Sequence, residues 1–331
     1  MSAADIALKR QQRRSVAPQI WIPLGIVLAA LAVAPSLGLP IFIQGLVIEI
    51  LTFSLLALSL NILLGYTGLV SFGHAAFFAI SGYAVGAVAT HYTAEILITL
   101  PVAILSAALC ALPLGWLSIR LSGFYFLMIT FAFAQMVFVA AFRWKWLTGG
   151  SDGMLVPGPT LLGMPVLQSR EEFYFFVLVL FAICAVALYF VVTSSFGRTL
   201  IGIRENTLRM RALGYNVRRY KLVAFVVAAT FGGVAGAANA LFNLFIAPES
   251  AHWTQSAMVL VMVLIGGAGY FVGPIVGTAV VLLLQHWLSS HTEYWGLVLG
   301  ILFIGLITGA REGISGLVMN LTDRLRRRVR P

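Results

Sequence analysis

At 331 residues, 60% hydrophobic and only 10% charged, the chain is far too apolar for a soluble domain, where about a quarter of residues are charged. The net charge of +10 raises nucleic acid as a partner, but in so apolar a chain a basic bias toward one side of a membrane explains it, and no nucleic-acid partner is expected. Weak ten-residue alternations, the mark of a barrel, are absent, and Cys110 and Cys184 sit inside apolar runs as small hydrophobes with no disulfide or metal spacing.

Taken in order, a basic tail with Lys9, Arg10, Arg13 and Arg14 precedes an apolar run at about 20–39. Ala32-Val33-Ala34 resembles a signal-peptide cleavage site. Pro35 would disfavour the cut and the run is long for a signal core, so it reads as a retained first helix. Further apolar segments fall at about 41–64, 71–90, 97–118, 123–142, 172–193, 221–243, 255–268, 274–291 and 294–310. The expected fold is an all-α polytopic membrane protein of about ten transmembrane helices, in two related halves with glycine-broken helices near the midplane. A transmembrane domain at 20–310 lies between a tail at 1–19 and a basic tail at 311–331 that suits anionic head groups of the lipid bilayer.

With the N-terminus inside and the sides alternating, 18 of the 21 Lys and Arg residues fall inside, which expects both termini in the cytoplasm. Only Arg143, Lys145 and Arg170 fall outside, with the long outer loop 142–170. Trp144 and Trp146 in that loop suit the membrane interface, and Thr148-Gly149-Gly150-Ser151-Asp152-Gly153 is turn chemistry. The loop reads either as an ordered connector or as a docking surface. Glu49 is the only acid inside an expected crossing, two turns from the outer end. His91, His252, His286 and His291 lie near segment ends and look interfacial.

Three stretches carry the functional signal. The polar loop 194–221 holds Arg198, Arg204, Arg209, Arg211, Arg218, Arg219 and Lys221 against one acid, Glu205. Two glycine-rich interruptions run over 61–74 and 264–274, each between apolar segments too closely spaced for an ordinary loop. Paired interruptions in corresponding positions point to a transport pathway. Broken backbone at membrane depth is tolerated only where protein buries it or water lines it. The alternative is a tight helical hairpin packed by glycine. Candidate pathway residues are Gly65, Gly68, Ser71, Phe72, Gly73 and His74 in the first stretch, and Gly266, Gly267, Gly269 and Gly273 in the second. His74 either meets solute or is a satisfied polar group between helices. Gly232-x-x-x-Gly236 permits close helix packing. No phosphate-binding loop, H-E-x-x-H or G-x-S-x-G occurs, so neither catalysis nor a cofactor is expected, and active transport would draw its energy from another subunit.

These stretches resemble the Liv-type, LivM-like permeases of bacterial ABC importers for branched-chain amino acids. G-Y-T-G-L-V-S-F-G-H-A-A-F-F-A-I-S-G-Y (65–83) is similar to the first-half signature, and L-I-G-G-A-G-Y-F-V-G-P-I-V-G-T (264–278) to the second. R-L-S-G-F-Y-F-L-M-I-T-F-A-F-A-Q-M-V (120–137) with W-L-T-G-G-S-D-G (146–153) looks like the intervening segment, and 197–221 resembles the coupling loop. Gln135 stands where the family often has an acid, and Thr207-Leu208-Arg209-Met210 departs from the usual R-E-N-E-x-A-A.

The resemblance implies a second, homologous permease subunit, two ABC ATPase subunits beneath and a periplasmic solute-binding protein above, in the inner membrane. Urea, short amides and aromatic acids are alternative solutes. A short helix at about 202–213 would seat in an ATPase groove, with Gly202, Arg204, Glu205, Asn206, Arg209, Ala212 and Leu213 as coupling residues and Gly214 as its end. The rival from another class, a stand-alone secondary transporter or channel, lacks acidic relay residues beyond Glu49.

Overall fold

A computed structural model describes residues 40–309 and 313–316. The expected crossing at 20–39, the tail at 1–19 and most of the tail at 311–331 lie outside the described residues. From 41–64 onward, each expected apolar segment has a helix over it. Helix α1 spans Ile41–Asn61 and runs on into a π-helical turn, Ile62–Thr67. Then come α2 (His74–His91), α3 (Ile96–Ser118), α4 (Phe124–Arg143) and a short α5 (Lys145–Thr148). Beyond the outer loop lie α6 (Arg170–Thr193), α7 (Ser195–Glu205), α8 (Thr207–Ala212) and α9 (Val217–Asn243). Helices α10 (Trp253–Gly266), α11 (Gly273–Ser289) and α12 (Trp295–Gly309) follow.

Five of these elements are long and apolar enough to cross a membrane: Ile41–Thr67, Ile96–Ser118, Phe124–Arg143, Arg170–Thr193 and Val217–Asn243. Shorter apolar helices are Trp253–Gly266, Gly273–Ser289 and Gly296–Gly305. The chain is a predominantly helical, multi-pass membrane protein.

Its packing is sorted by size rather than by polarity. On α3 the buried residues are Thr99, Ala103, Ala107, Ala111, Gly115 and Ser118, while Leu105, Leu109, Leu112 and Trp116 face outward. The four-residue spacing puts the small side chains on one stripe. In hydrocarbon a leucine gains nothing by turning inward, so close approach of backbones decides which face is covered. The stripe packs on α9 and α2, and α9 also packs on α1. Residues Leu51 to Asn61 of α1 are buried without interruption, so this half of α1 is covered on every side.

The outer loop is ordered. Its β1 (Met154–Leu155) pairs antiparallel with β4 (Phe245–Ile246) after α9, and β2 (Thr160–Leu161) pairs with β3 (Met164–Pro165). The Glu95 carboxylate accepts from the Leu162 and Gly163 N–H groups at 2.9 and 2.6 Å. Helix α6, 24 residues or about 36 Å long, separates this loop from the polar loop, so the two lie at opposite ends of the molecule.

Candidate functional site at the polar loop and the two helix breaks

The polar loop forms two helices, not the single one expected over 202–213. Ser194 caps α7, its Oγ accepting from the Gly197 N–H at 3.4 Å. Asn206 then takes extended backbone, φ −157°, and its side chain accepts from the Arg209 N–H at 2.9 Å. A short polar side chain that bonds its own downstream backbone competes with helix continuation and starts a new helix instead. The bend folds α8 onto α7 at Gly202, where an added Cβ would sit 2.9 Å from Met210 Sδ.

Gly214 ends α8 as expected. At φ +84° it closes a Schellman turn, with Gly214 N–H donating to Arg211 O (2.9 Å) and Tyr215 N–H to Met210 O (3.1 Å). No residue of α8 is buried, whereas α7 buries Gly197, Thr199, Leu200 and Ile203. One helix is anchored and the other displayed. Glu205 is exposed at the last position of α7, and Asn206, Arg209, Ala212, Leu213 and Gly214 lie on or beside the displayed helix. So does Leu208, 75% exposed, which the sequence reading did not single out.

The first break is stitched to its neighbours. Thr67 Oγ1 donates to Ile62 O at 2.9 Å across the π turn, and Gly68 reverses the chain at φ +76°. Thr130 Oγ1 on α4 accepts from the Phe72 N–H at 3.2 Å, and Ser71 Oγ accepts from the Gly73 N–H at 3.2 Å. Ser256 Oγ on α10 accepts from the Ala75 N–H at 2.9 Å. His74 opens α2 fully buried, and neither ring nitrogen has a hydrogen-bond partner among the described residues.

The second break lets α10 and α11 lie against each other. A Cβ on Gly266 would strike the Gly273 carbonyl, and one on Gly277 the Met262 carbonyl. Gly267 and Gly269 both take positive φ, +111° and +86°.

The two breaks and the polar loop meet. Asn61, 1% exposed at the end of α1, donates through Nδ2 to Tyr270 O at 2.9 Å. Its Oδ1 accepts from the Gly269 N–H, also at 2.9 Å. Arg204, at the end of α7, donates from Nη1 to the Gly65 carbonyl. A Cβ on Gly68 would lie 3.0 Å from Arg204 Cγ, and one on Gly269 would lie 3.1 Å from Arg204 Nη1. Gly65, Gly68 and Gly269 are thus brought to one point with Arg204. Ser71, Phe72, Gly73 and His74 lie further along, toward α4 and α10.

The first break therefore lies nearer one end of its span than the midplane. It follows a 21-residue helix, about 31 Å and already of membrane length, and it touches the polar loop. Asn61 was missed as a site residue. Its signal was an amide side chain where the apolar run leads into the glycine-rich stretch. Glu49 is paired rather than isolated, with Oε2 3.5 Å from His286 Nε2. The other ring nitrogen, Nδ1, lies 3.0 Å from Leu282 O.

Comparison with known proteins bears on the family of the chain. The family described as branched-chain amino acid transport system / permease component matches residues 42–307. The chain is similar to the high-affinity branched-chain amino acid transport system permease protein LivM of Escherichia coli (strain K12), 31% identical over 286 residues, covering 79% of this chain and 67% of the relative. LivM of Salmonella typhimurium (strain LT2) is 28% identical over 285 residues with the same two shares. No solved structure matches the chain. The matched region contains both glycine breaks, the polar loop and Asn61, so the chain belongs to the family of branched-chain amino acid transport system permease components.

Proposed function

We propose that the chain forms half of the translocation pathway of a bacterial ABC importer for branched-chain amino acids, and that separate ATPase subunits drive it through the polar loop. The observation that carries this reading is the contact of Arg204 with the first break. A loop that displays an unburied helix to solvent also touches the backbone of a broken membrane helix. Force applied to α8 by a motor subunit would reach the pathway through α7. The coupling surface is Gly202, Arg204, Glu205, Asn206, Arg209, Ala212, Leu213 and Gly214. The pathway runs along Gly65, Gly68, Ser71, Phe72, Gly73 and His74, and Gly266, Gly267, Gly269 and Gly273.

A second, homologous permease subunit completes the pathway, and a periplasmic solute-binding protein delivers solute at the outer-loop end. The basic bias, 18 of 21 Lys and Arg on one side, supports cytoplasmic termini in an inner-membrane protein. On this reading the transmembrane domain covers 20–310, with about ten crossings in two halves and with tails at 1–19 and 311–331.

Reconstitution with the partner subunits in proteoliposomes tests the proposal. Leucine delivered by the binding protein is expected to stimulate ATP hydrolysis and uptake, while this chain alone performs neither. Replacing Glu205 and Gly214 together should depress coupled uptake, and uptake at the wild-type rate would remove the coupling assignment.

A further inference from the structure

We infer that Asn61 and Arg204 form a two-part latch. Asn61 joins the two glycine breaks into one block, and Arg204 is the side chain by which the polar loop holds that block. The inference rests on the reading of the chain as a motor-driven permease and adds to it the point where force is transmitted.

A helix break frees backbone groups, and where protein covers them, as at Asn61 and Gly65, each must find a partner within the protein. Here the partners are supplied crosswise. The second break gives the Gly269 N–H and the Tyr270 carbonyl to Asn61, at the end of the helix that leads into the first break. The first break gives the Gly65 carbonyl to Arg204. Neither break is therefore satisfied by its own helices alone. Displacing one strains the bonds of the other, so they move together.

The glycines make room for this. A Cβ on Gly65 would strike Asn61 Oδ1 and the Gly269 nitrogen. A Cβ on Gly269 would lie 3.2 Å from the Gly65 carbonyl oxygen, as well as close to the guanidinium. Positions 65, 68 and 269, from opposite ends of the sequence, are bare where the Arg204 side chain and the other break approach.

Arg204 is also placed to feel the loop. Its neighbour Ile203 is 1% exposed and holds α7 in the protein, while Asn206, two residues on, is the bend into the displayed α8. A push on α8 turns about Asn206 and draws Arg204 off the Gly65 carbonyl. A hydrogen bond to a charged group shifts an equilibrium by on the order of tenfold to a hundredfold, enough to bias a two-state gate. Arg204 is thus a positioning residue, and Asn61 sets what it positions.

The test is the ratio of leucine taken up to ATP hydrolysed by the complete reconstituted transporter. The wild-type ratio comes first. If leucine stimulates no hydrolysis, the permease reading falls and the latch falls with it. Given a working wild type, Arg204→Ala is expected to lower the ratio about tenfold, and Asn61→Ala to lower it as well, because a block that has lost either part dissipates the stroke. Arg204→Lys, whose ammonium can still donate to a carbonyl, should give an intermediate ratio. A wild-type ratio in Arg204→Ala would overturn the latch while leaving the permease reading standing. Should Arg204→Ala fail to assemble, Arg204→Lys decides: an intermediate ratio supports the latch, and a wild-type ratio overturns it.

Discussion

Two glycines four residues apart on α9 should respond oppositely to the same substitution. At Gly236 an added Cβ would fall on the backbone of α2, striking the Phe78 carbonyl oxygen and lying 2.6 Å from Phe78 C and 2.8 Å from its Cα. No side chain there can swing aside, so α2 and α9 must separate along their contact. Overpacking of this kind costs about 1–3 kcal/mol, and a clash with backbone belongs at the upper end. Alanine returns about 1 kcal/mol of helix propensity, leaving Gly236→Ala destabilised by about 2 kcal/mol. At Gly232 the nearest atoms are Leu56 Cδ1 at 3.4 Å, Ser59 Oγ at 3.5 Å and His74 Cδ2 at 3.8 Å, which is ordinary contact. Only the propensity term remains, so Gly232→Ala should be neutral or more stable by up to about 1 kcal/mol. Thermal unfolding of the purified protein in nanodiscs, with both variants beside the wild type, reads the difference as midpoints several degrees apart. Equal midpoints, or a lower one for Gly232→Ala, would refute the claim that approach of α2 to Gly236 sets the packing.

Other outcomes follow from single contacts. Asn61→Ala removes two hydrogen bonds of 2.9 Å, one of them the bond made by the Gly269 N–H, and should lower stability in the same assay by about 1–3 kcal/mol. His74→Leu removes two buried ring nitrogens that lack partners among the described residues, so the unfolding midpoint should hold or rise while leucine uptake falls. Gly214→Ala forces a side chain into φ +84° at a local cost of about 1–2 kcal/mol. Amide exchange should quicken in α8 while the global midpoint stays unchanged. Leu208→Asp, at a side chain 75% exposed, should leave the midpoint unchanged and reduce co-purification of the ATPase subunits.

The membrane segments were legible because a bilayer demands long apolar runs, and those runs are local. The Gly214 end of the loop helix was legible for a similar reason, because it acts on backbone a few residues away and such a signal survives without tertiary context. The helix starts were not read: α7 begins at Ser195 rather than near 202, and α9 at Val217 rather than 221. The family resemblance was carried by contiguous motifs and needed no fold.

What the chain does not reveal by itself is which of its apolar faces is inside. Leu109 and Ala107 are equally at home in a hydrophobic run, yet Leu109 faces outward and Ala107 is buried, because backbone approach rather than water sorts them. The Gly232-x-x-x-Gly236 pair reads as symmetric in sequence, and only the position of Phe78 makes Gly236 the tight one. The split of the expected loop helix at Asn206 was local but ambiguous, since asparagine can also sit inside a helix. Above all, Asn61 lies 208 residues from Gly269, and Arg204 lies 139 from Gly65. No local pattern announces such partners. Composition and spacing determined that this chain spans a membrane, breaks two helices at glycine and carries a basic loop. Only the tertiary structure decided that these three features meet at one point, because the bonds that join them run from the Asn61 and Arg204 side chains to backbone groups far away in sequence.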